Sequence, residues 1–445
     1  MLKSSSSLSS LSSLSSLRVS ALFVGISALA FAFAACAEGV EKKDFSEDFG
    51  GNDASRRDAT VAADGAPLPQ DDAAVPETDA SLPRDGSPTD ATSFDAADAD
   101  SCTGTVAVLA GDETSLKAGF KTRGAWTTQT LAGESALSGP ALVAFGTGFQ
   151  AAFRAAGDAL KTTSSTGSAF GAPVRLGTST ARGTPTLATN GVALHLLFQD
   201  TTFGYLQAAW AATAFETPAA IGTPPSFGPE PLTGAVVGAE LVAAFGGDSE
   251  GALYTQVRTG TAWSAAAAVT GTTVCAKAGG GGVSRCGGAP GVLATGGATV
   301  DLLAVHVDRD TRLLTSSTRN ATTKAMTAHG AVLAGTTSDE EVFLAKAGTN
   351  RAVLAFRGQN GLGYATLADL SQSPPRFSTP VALSATALAS VPRVAAGVCG
   401  DDAVAVLVTA AGQVRMVRLR GTAWGGEEAV GSVGVAKVAA IATRP

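Results

Sequence analysis

A search for catalysis in this chain starts from three histidines in 445 residues. His195 and His306 stand in Ala-Leu-His-Leu-Leu and Ala-Val-His-Val-Asp, apolar stretches that read as core or channel-lining strands, and His329 stands in a variable loop. Hydrolysis needs converging carboxylates, or a nucleophile with its base. The acidic groups Asp308 and Asp310, Asp339-Glu340-Glu341 and Asp401-Asp402 lie among turn-forming residues and read as solvated turn positions. The five cysteines contain no Cys-X-X-Cys pair, so no zinc or redox site and no cofactor is expected. No catalytic, cofactor or metal residue is assigned, and the chain is expected not to be an enzyme.

Composition narrows the classes further. Charged residues are only 16% of the chain, glycine is 53 residues, and no Gly-X-Y period is present, which excludes a charged coiled coil and collagen. The net charge of −7 is unevenly spread. Residues 38–101 carry 17 acidic against 5 basic side chains, whereas residues 102–445 carry 24 basic against 21 acidic, with no basic stripe. Nucleic acid is therefore not an expected partner.

The first hundred residues read as an address and a tether. A Ser/Leu-rich start ends at Arg18, and an uncharged apolar run follows from Val19 to Ala35. Residues 1–35 are expected to be an export signal, with an uncleaved membrane anchor as the alternative. Phe33-Ala34-Ala35-Cys36 resembles the lipobox of bacterial lipoproteins, although Phe33 stands where leucine is usual. That resemblance implies lipidation (diacylglycerol, palmitate) at Cys36, cleavage before it, and, with Ala37 following, the outer membrane; the lipid would be the chain's one membrane attachment. Ordinary cleavage in Ala35-Cys36-Ala37, giving a secreted protein, is the alternative. Residues 36–101, rich in Asp, Ala and Pro and poor in large apolar residues, are expected to be disordered and extended by charge repulsion.

Residues 102–445 repeat. A small residue after an apolar one recurs at Gly133, Gly177, Gly222, Gly271, Gly335, Ser384 and Gly431, in steps of 44, 45, 49, 64, 49 and 47. An aromatic precedes most of these, at Trp126, Phe170, Phe215, Trp263, Phe377 and Trp424; the fifth copy lacks it. A second landmark ends an apolar strand in each copy: Phe153, Phe198, Phe245 and Phe356, with His306 and Val408 in the fifth and seventh copies. Gly/Asp/Asn turns follow it, so each copy reads as four short strands. Seven such copies predict an all-β, seven-bladed β-propeller with four-stranded blades. Thr105–Leu109 aligns with the second strand of the other units, and 435–443 looks like a first strand without partners. Pairing these ends would close the ring and remove a sheet edge. An open β-solenoid or two sandwiches is the rival architecture.

The pattern of an apolar strand, a Gly/Asp turn and then Gly-x-Ala-Trp or a Phe equivalent resembles the propellers of bacterial lectins and of sialidase-like proteins. The Ser-x-Asp-x-Gly-x-Thr-Trp box of sialidases and the Trp-Asp pair of WD repeats are absent. The likeness therefore implies an architecture and transfers little function.

With Cys36 lipidated, four cysteines remain for an oxidising compartment. Cys275 and Cys286 bracket a glycine-rich excursion in the 64-residue step, and Cys102 and Cys399 become neighbours on ring closure. Both pairs are expected disulfides, with free buried thiols as the alternative. The recurring aromatics are expected to pack between blades. Binding is expected instead in the varying turns after the second strand: Arg154, Asp158, Gln199, Asp200, Tyr205, Asp308, Arg309, Arg357 and Asn360. The resulting reading is a monomeric, non-catalytic surface lipoprotein whose propeller binds a glycan or another envelope component. A glycosidase or lyase at the propeller mouth and a protein-interaction scaffold are the alternatives.

Overall fold

Runs such as Leu194–Gln199 and Ala403–Val408 are too short and too rich in branched apolar residues for helices, and they form strands buried along nearly their whole length. The computed structural model describes residues 104–222, 232–247, 251–276, 285–286, 288–338 and 340–445. The expected signal segment 1–35, Cys36, the tether 36–101, Cys102 and Asp339 lie outside the described residues.

Apart from one two-stranded hairpin, the described strands form seven antiparallel sheets, each built outward from an inner strand. The inner strands are Ala141–Phe145, Thr186–Thr189, Thr233–Val237, Gly291–Ala294, Phe343–Lys346 and Arg393–Ala396 in blades 2 to 7. Blade 1 takes its inner strand, Val438–Arg444, from the other end of the chain. This strand pairs in continuous register with Thr105–Gly111, from Thr105 opposite Arg444 to Gly111 opposite Val438. Each inner strand contacts that of the next blade all the way round, so the molecule is a closed seven-bladed β-propeller. In blades 3, 4, 6 and 7 the outermost strand is broken into two pieces of two residues, such as Ala214–Phe215 and Ala219–Ala220. Short edges of this kind offer little to pair with.

The cores lie between blades. One cluster joins Ala152, Leu160 and Leu176 of blade 2 to Leu196, Phe198 and Phe215 of blade 3. Another joins Val404, Val406 and Met416 of blade 7 to Val106, Val108 and Ile441 of blade 1. Phe153, Phe198, Phe245 and Phe356 are completely or almost completely buried there. The recurring aromatics also serve these contacts: Trp126 packs on the blade 7 cluster, and Trp424 on the blade 6–7 cluster. In the fifth copy Met326 opens the outer strand and packs at the neighbouring interface. The landmark glycines at 133, 177, 222, 271, 335 and 431 all have positive φ. That conformation is open to glycine and strained for side chains, which is why the period is visible in the sequence.

The long fourth step holds an extra hairpin, Cys275–Ala276 with Arg285–Cys286, whose register sets Cys275 opposite Cys286. Ions also tie blade to blade. The reading of Asp401 as a solvated turn residue is corrected: its side chain is 1% exposed and accepts from Arg418 Nη1 at 3.3 Å and Arg420 Nε at 2.7 Å. Arg418 reaches Glu428, which also meets Lys121 and, at 2.9 Å, Trp126 Nε1 of blade 1. The seam where the chain ends meet thus carries both a strand pairing and a charge network.

Truncation after Lys437 removes the inner strand of blade 1 and is expected to abolish the cooperative thermal transition, followed by circular dichroism. Phe356→Ala is expected to cost about 3–5 kcal/mol in denaturant unfolding, because it empties a fully packed position.

Candidate functional site

Strand alternation decides which segments can meet. In every blade the turn after the second strand and the linker to the next blade emerge on the same face. Linkers are stitched to those turns by hydrogen bonds from Leu137 N to Arg154 O, Arg182 N to Gln199 O, Ala389 N to Val408 O and Lys437 N to Gly111 O, at 2.7–2.9 Å. Arg154, Gln199 and Arg357 each follow the buried phenylalanine of their copy, so their backbone serves the architecture.

The expected ligand residues do gather on this face, in separate blades and with differing roles. In blade 2, Arg154 Nε lies 2.9 Å from Asp158 Oδ1 and the two form an ion pair, while Arg154 Nη1 donates to Arg182 O at 2.9 Å. In blade 3, Asp200 closes its own turn by accepting from Thr202 N and Gly204 N. Gln199 and Tyr205 are 4% and 2% exposed, and the Tyr205 ring packs 4.9 Å from that of Phe245 in blade 4. They stand behind the surface, because the blade 3–4 contact needed bulk there. In blade 5, Asp308 likewise closes a turn, through Thr311 N and Oγ1, and Arg309 N is tied to Thr273 O.

Blade 6 is different. Here Arg357 pairs with Glu340, and Asn360 Nδ2 donates to Tyr364 Oη at 2.7 Å. The Tyr364 ring stacks on Phe356 at 5.6 Å and 18°, and is itself partly exposed. Together with Thr336, Thr337, Gly358, Gln359 and Pro380 they line a cleft of about 280 Å³ between blades 5 and 6. Sequence reasoning singled out Asn360 and not Tyr364. The signal was present: Tyr364 and Tyr254 lie directly across from the landmark residues Phe356 and Phe245.

The histidines are held as structural groups. His306 is 1% exposed, its Nε2 lies 2.7 Å from Thr315 Oγ1, and burial pushes its pKa down to about 4. His195 pairs with Gln207 at 3.1 Å, and burial, with a contribution from Arg258, lowers it to about 4 as well. His329 meets Thr318 Oγ1 at 2.6 Å. Among the described residues no group of three or more His, Cys, Asp or Glu side chains could hold a metal ion.

No protein family and no curated protein matches this sequence. Among solved structures the chain is similar to a putative 6-phosphogluconolactonase from Bacteroides uniformis, at TM-score 0.51 and 10% identity over 76% of this chain and 99% of that one. It is also similar to AofleA from Arthrobotrys oligospora (TM-score 0.47, 10% identity, 68% and 88% covered). The fucose-specific lectin of Aleuria aurantia matches at TM-score 0.46 and 10% identity, with 67% and 96% covered. At such identities the likeness is one of fold.

A histidine buried neutral makes folding weaker in acid. With folded values near 4 against 6.5 unfolded, the stability held by His306 and His195 is complete above pH 6.5 and is lost as pH falls toward 4. His306→Phe, which restores the residue found in four other copies, is expected to flatten that part of the pH–stability curve in urea titrations.

Proposed function

We propose that the propeller binds carbohydrate without catalysis, in the cleft between blades 5 and 6. The observation that carries this reading is the Tyr364 ring, stacked on Phe356 and anchored by Asn360, standing in a cleft edged with hydroxyls and amides. A rigid aromatic with an apolar face and polar rim suits a sugar ring, whose axial hydrogens stack while its hydroxyls find amide and threonine partners. The carboxylates nearby support recognition over hydrolysis, since Glu340 is paired to Arg357 and Glu341 to Arg393. Among the described residues no acid lines the cleft, where glycoside cleavage requires a pair.

The same proposal includes the chain's location. Cys36 is lipidated at the outer membrane and residues 36–101 hold the propeller away from the bilayer. Two disulfides lock the fold: Cys275 to Cys286, supported by their opposed backbone positions, and Cys102 to Cys399. The Cys399 sulfur is engaged rather than free, and lies 4.0 Å from Gly104 O, two residues from Cys102.

Binding of the folded protein to a glycan array, with turnover assayed on each hit, tests the function. A specific sugar bound without turnover is expected, and Tyr364→Ala should weaken it at least tenfold, about 1.4 kcal/mol. A blank array, or undiminished binding by Tyr364→Ala, would falsify the cleft assignment. Cys36→Ala is expected to move the protein from the membrane to the soluble fraction, and Cys399→Ser to lower the melting temperature only under non-reducing conditions.

A further inference from the structure

The seven inner strands enclose a central channel, and its mouth on the loop face is built differently from its bore. The bore, about 640 Å³, is lined by residues such as Val143, Val237, Leu293 and Leu344. At the mouth four inner strands are preceded by Pro140, Pro185, Pro290 and Pro392, whose fixed φ stiffens the rim. Within this rim lies a cavity of about 170 Å³ into which Arg393 extends.

Arg393 is costly where it stands. Its side chain is 13% exposed, it stacks 3.6 Å from the Phe343 ring centroid, and its Nη2 meets Glu341 Oε1 at 3.1 Å. The guanidinium also crosses to the segment entering blade 2: a Cβ on Gly139 would lie 2.3 Å from Nη2 and 3.3 Å from Thr184 Oγ1. Glycine leaves that space for the cation. Arg319, which is more deeply buried, has a two-pronged bond to Asp301 and a further one to Glu240, while its Nη1 has no partner among the described residues. Arg393 has one carboxylate for five N–H donors. Burial lowers its pKa, with the Glu341 charge opposing, as expected of a cation short of partners. A second polar group borders the same space: Thr233, 8% exposed, lines the cavity.

We propose that this mouth is a binding site for a small carboxylate, held by the Arg393 guanidinium with the Thr233 and Thr184 hydroxyls. The planar fork matches a carboxylate in two-pronged geometry, and the hydroxyls suit an oxygen on the adjacent carbon. The stacked Phe343 and the Glu341 bond hold the fork in place before the ligand arrives. The cavity is below the roughly 300–1,000 Å³ of most small-molecule pockets, which favours a compact hydroxy acid over an oligosaccharide. The site is independent of the tyrosine cleft.

Isothermal titration of the full chain with sodium lactate tests this, with sodium chloride at equal ionic strength as control and glucuronate as the sugar-acid arm. Saturable lactate binding is expected, weakened at least tenfold in Thr233→Val, lost in Arg393→Gln, and unchanged in Tyr364→Ala. Glucuronate binding with the same Arg393 and Thr233 dependence would also support the site, and would assign the carboxylate to an acidic sugar. No saturable binding of either acid by the wild-type chain overturns the proposal. So does equal affinity in Thr233→Val, a variant that retains the arginine and its ion pair.

Discussion

Contact between the apolar faces of neighbouring sheets is the interaction on which this molecule depends. A four-stranded sheet of these strands is apolar on both sides, as the nearly unbroken burial of Thr105–Gly111 and Ala403–Val408 shows. One such sheet cannot hide both faces, and a row of them leaves two uncovered at the ends. A ring leaves none. The pairing of Val438–Arg444 with Thr105–Gly111 is therefore the condition under which every other interface can exist.

That constraint divides the residues by task. Strand positions are committed to the interfaces, where Phe153, Phe198, Phe245 and Phe356 fill the same place in successive blades. Edge positions carry blade-to-blade charges such as Arg351 with Asp402 and the buried Arg319–Asp301–Glu240 group. Chemistry is left to one face, where turns and linkers vary without disturbing the ladders. Even there much polarity is spent locally: Asp112, Asp200 and Asp308 each bind the backbone of their own turns. An acidic residue in a Gly/Asp loop is more informative about the turn than about a ligand.

The two sites argued above follow from departures from the repeat. Blades 4 and 6 both set a tyrosine across from the landmark phenylalanine, and blade 6 alone of the two joins it to an asparagine, Asn360, among the described residues. Blade 7 begins its inner strand with arginine, where the others begin with alanine, threonine, glycine, phenylalanine or valine. In a repeat protein the common residues report the architecture, and the singular ones are where function can be sought.

The sequence by itself determined the period, the number of blades and the closure, because these rest on local rules. Glycine marks a positive φ, apolar alternation marks a strand, and a copy lacking a first strand implies its partner at the other terminus. It also located the face on which Arg154, Asp158, Asp308 and Asn360 lie. Only the tertiary structure decided which of these side chains are engaged with one another, that Gln199 and Tyr205 are buried, and that Asp401 is an internal ion partner. It alone brought Arg393 of blade 7 to Glu341 of blade 6 and to Gly139 before blade 2. Contacts of that kind join residues from different repeats across a ring, and no local spacing along the chain encodes them.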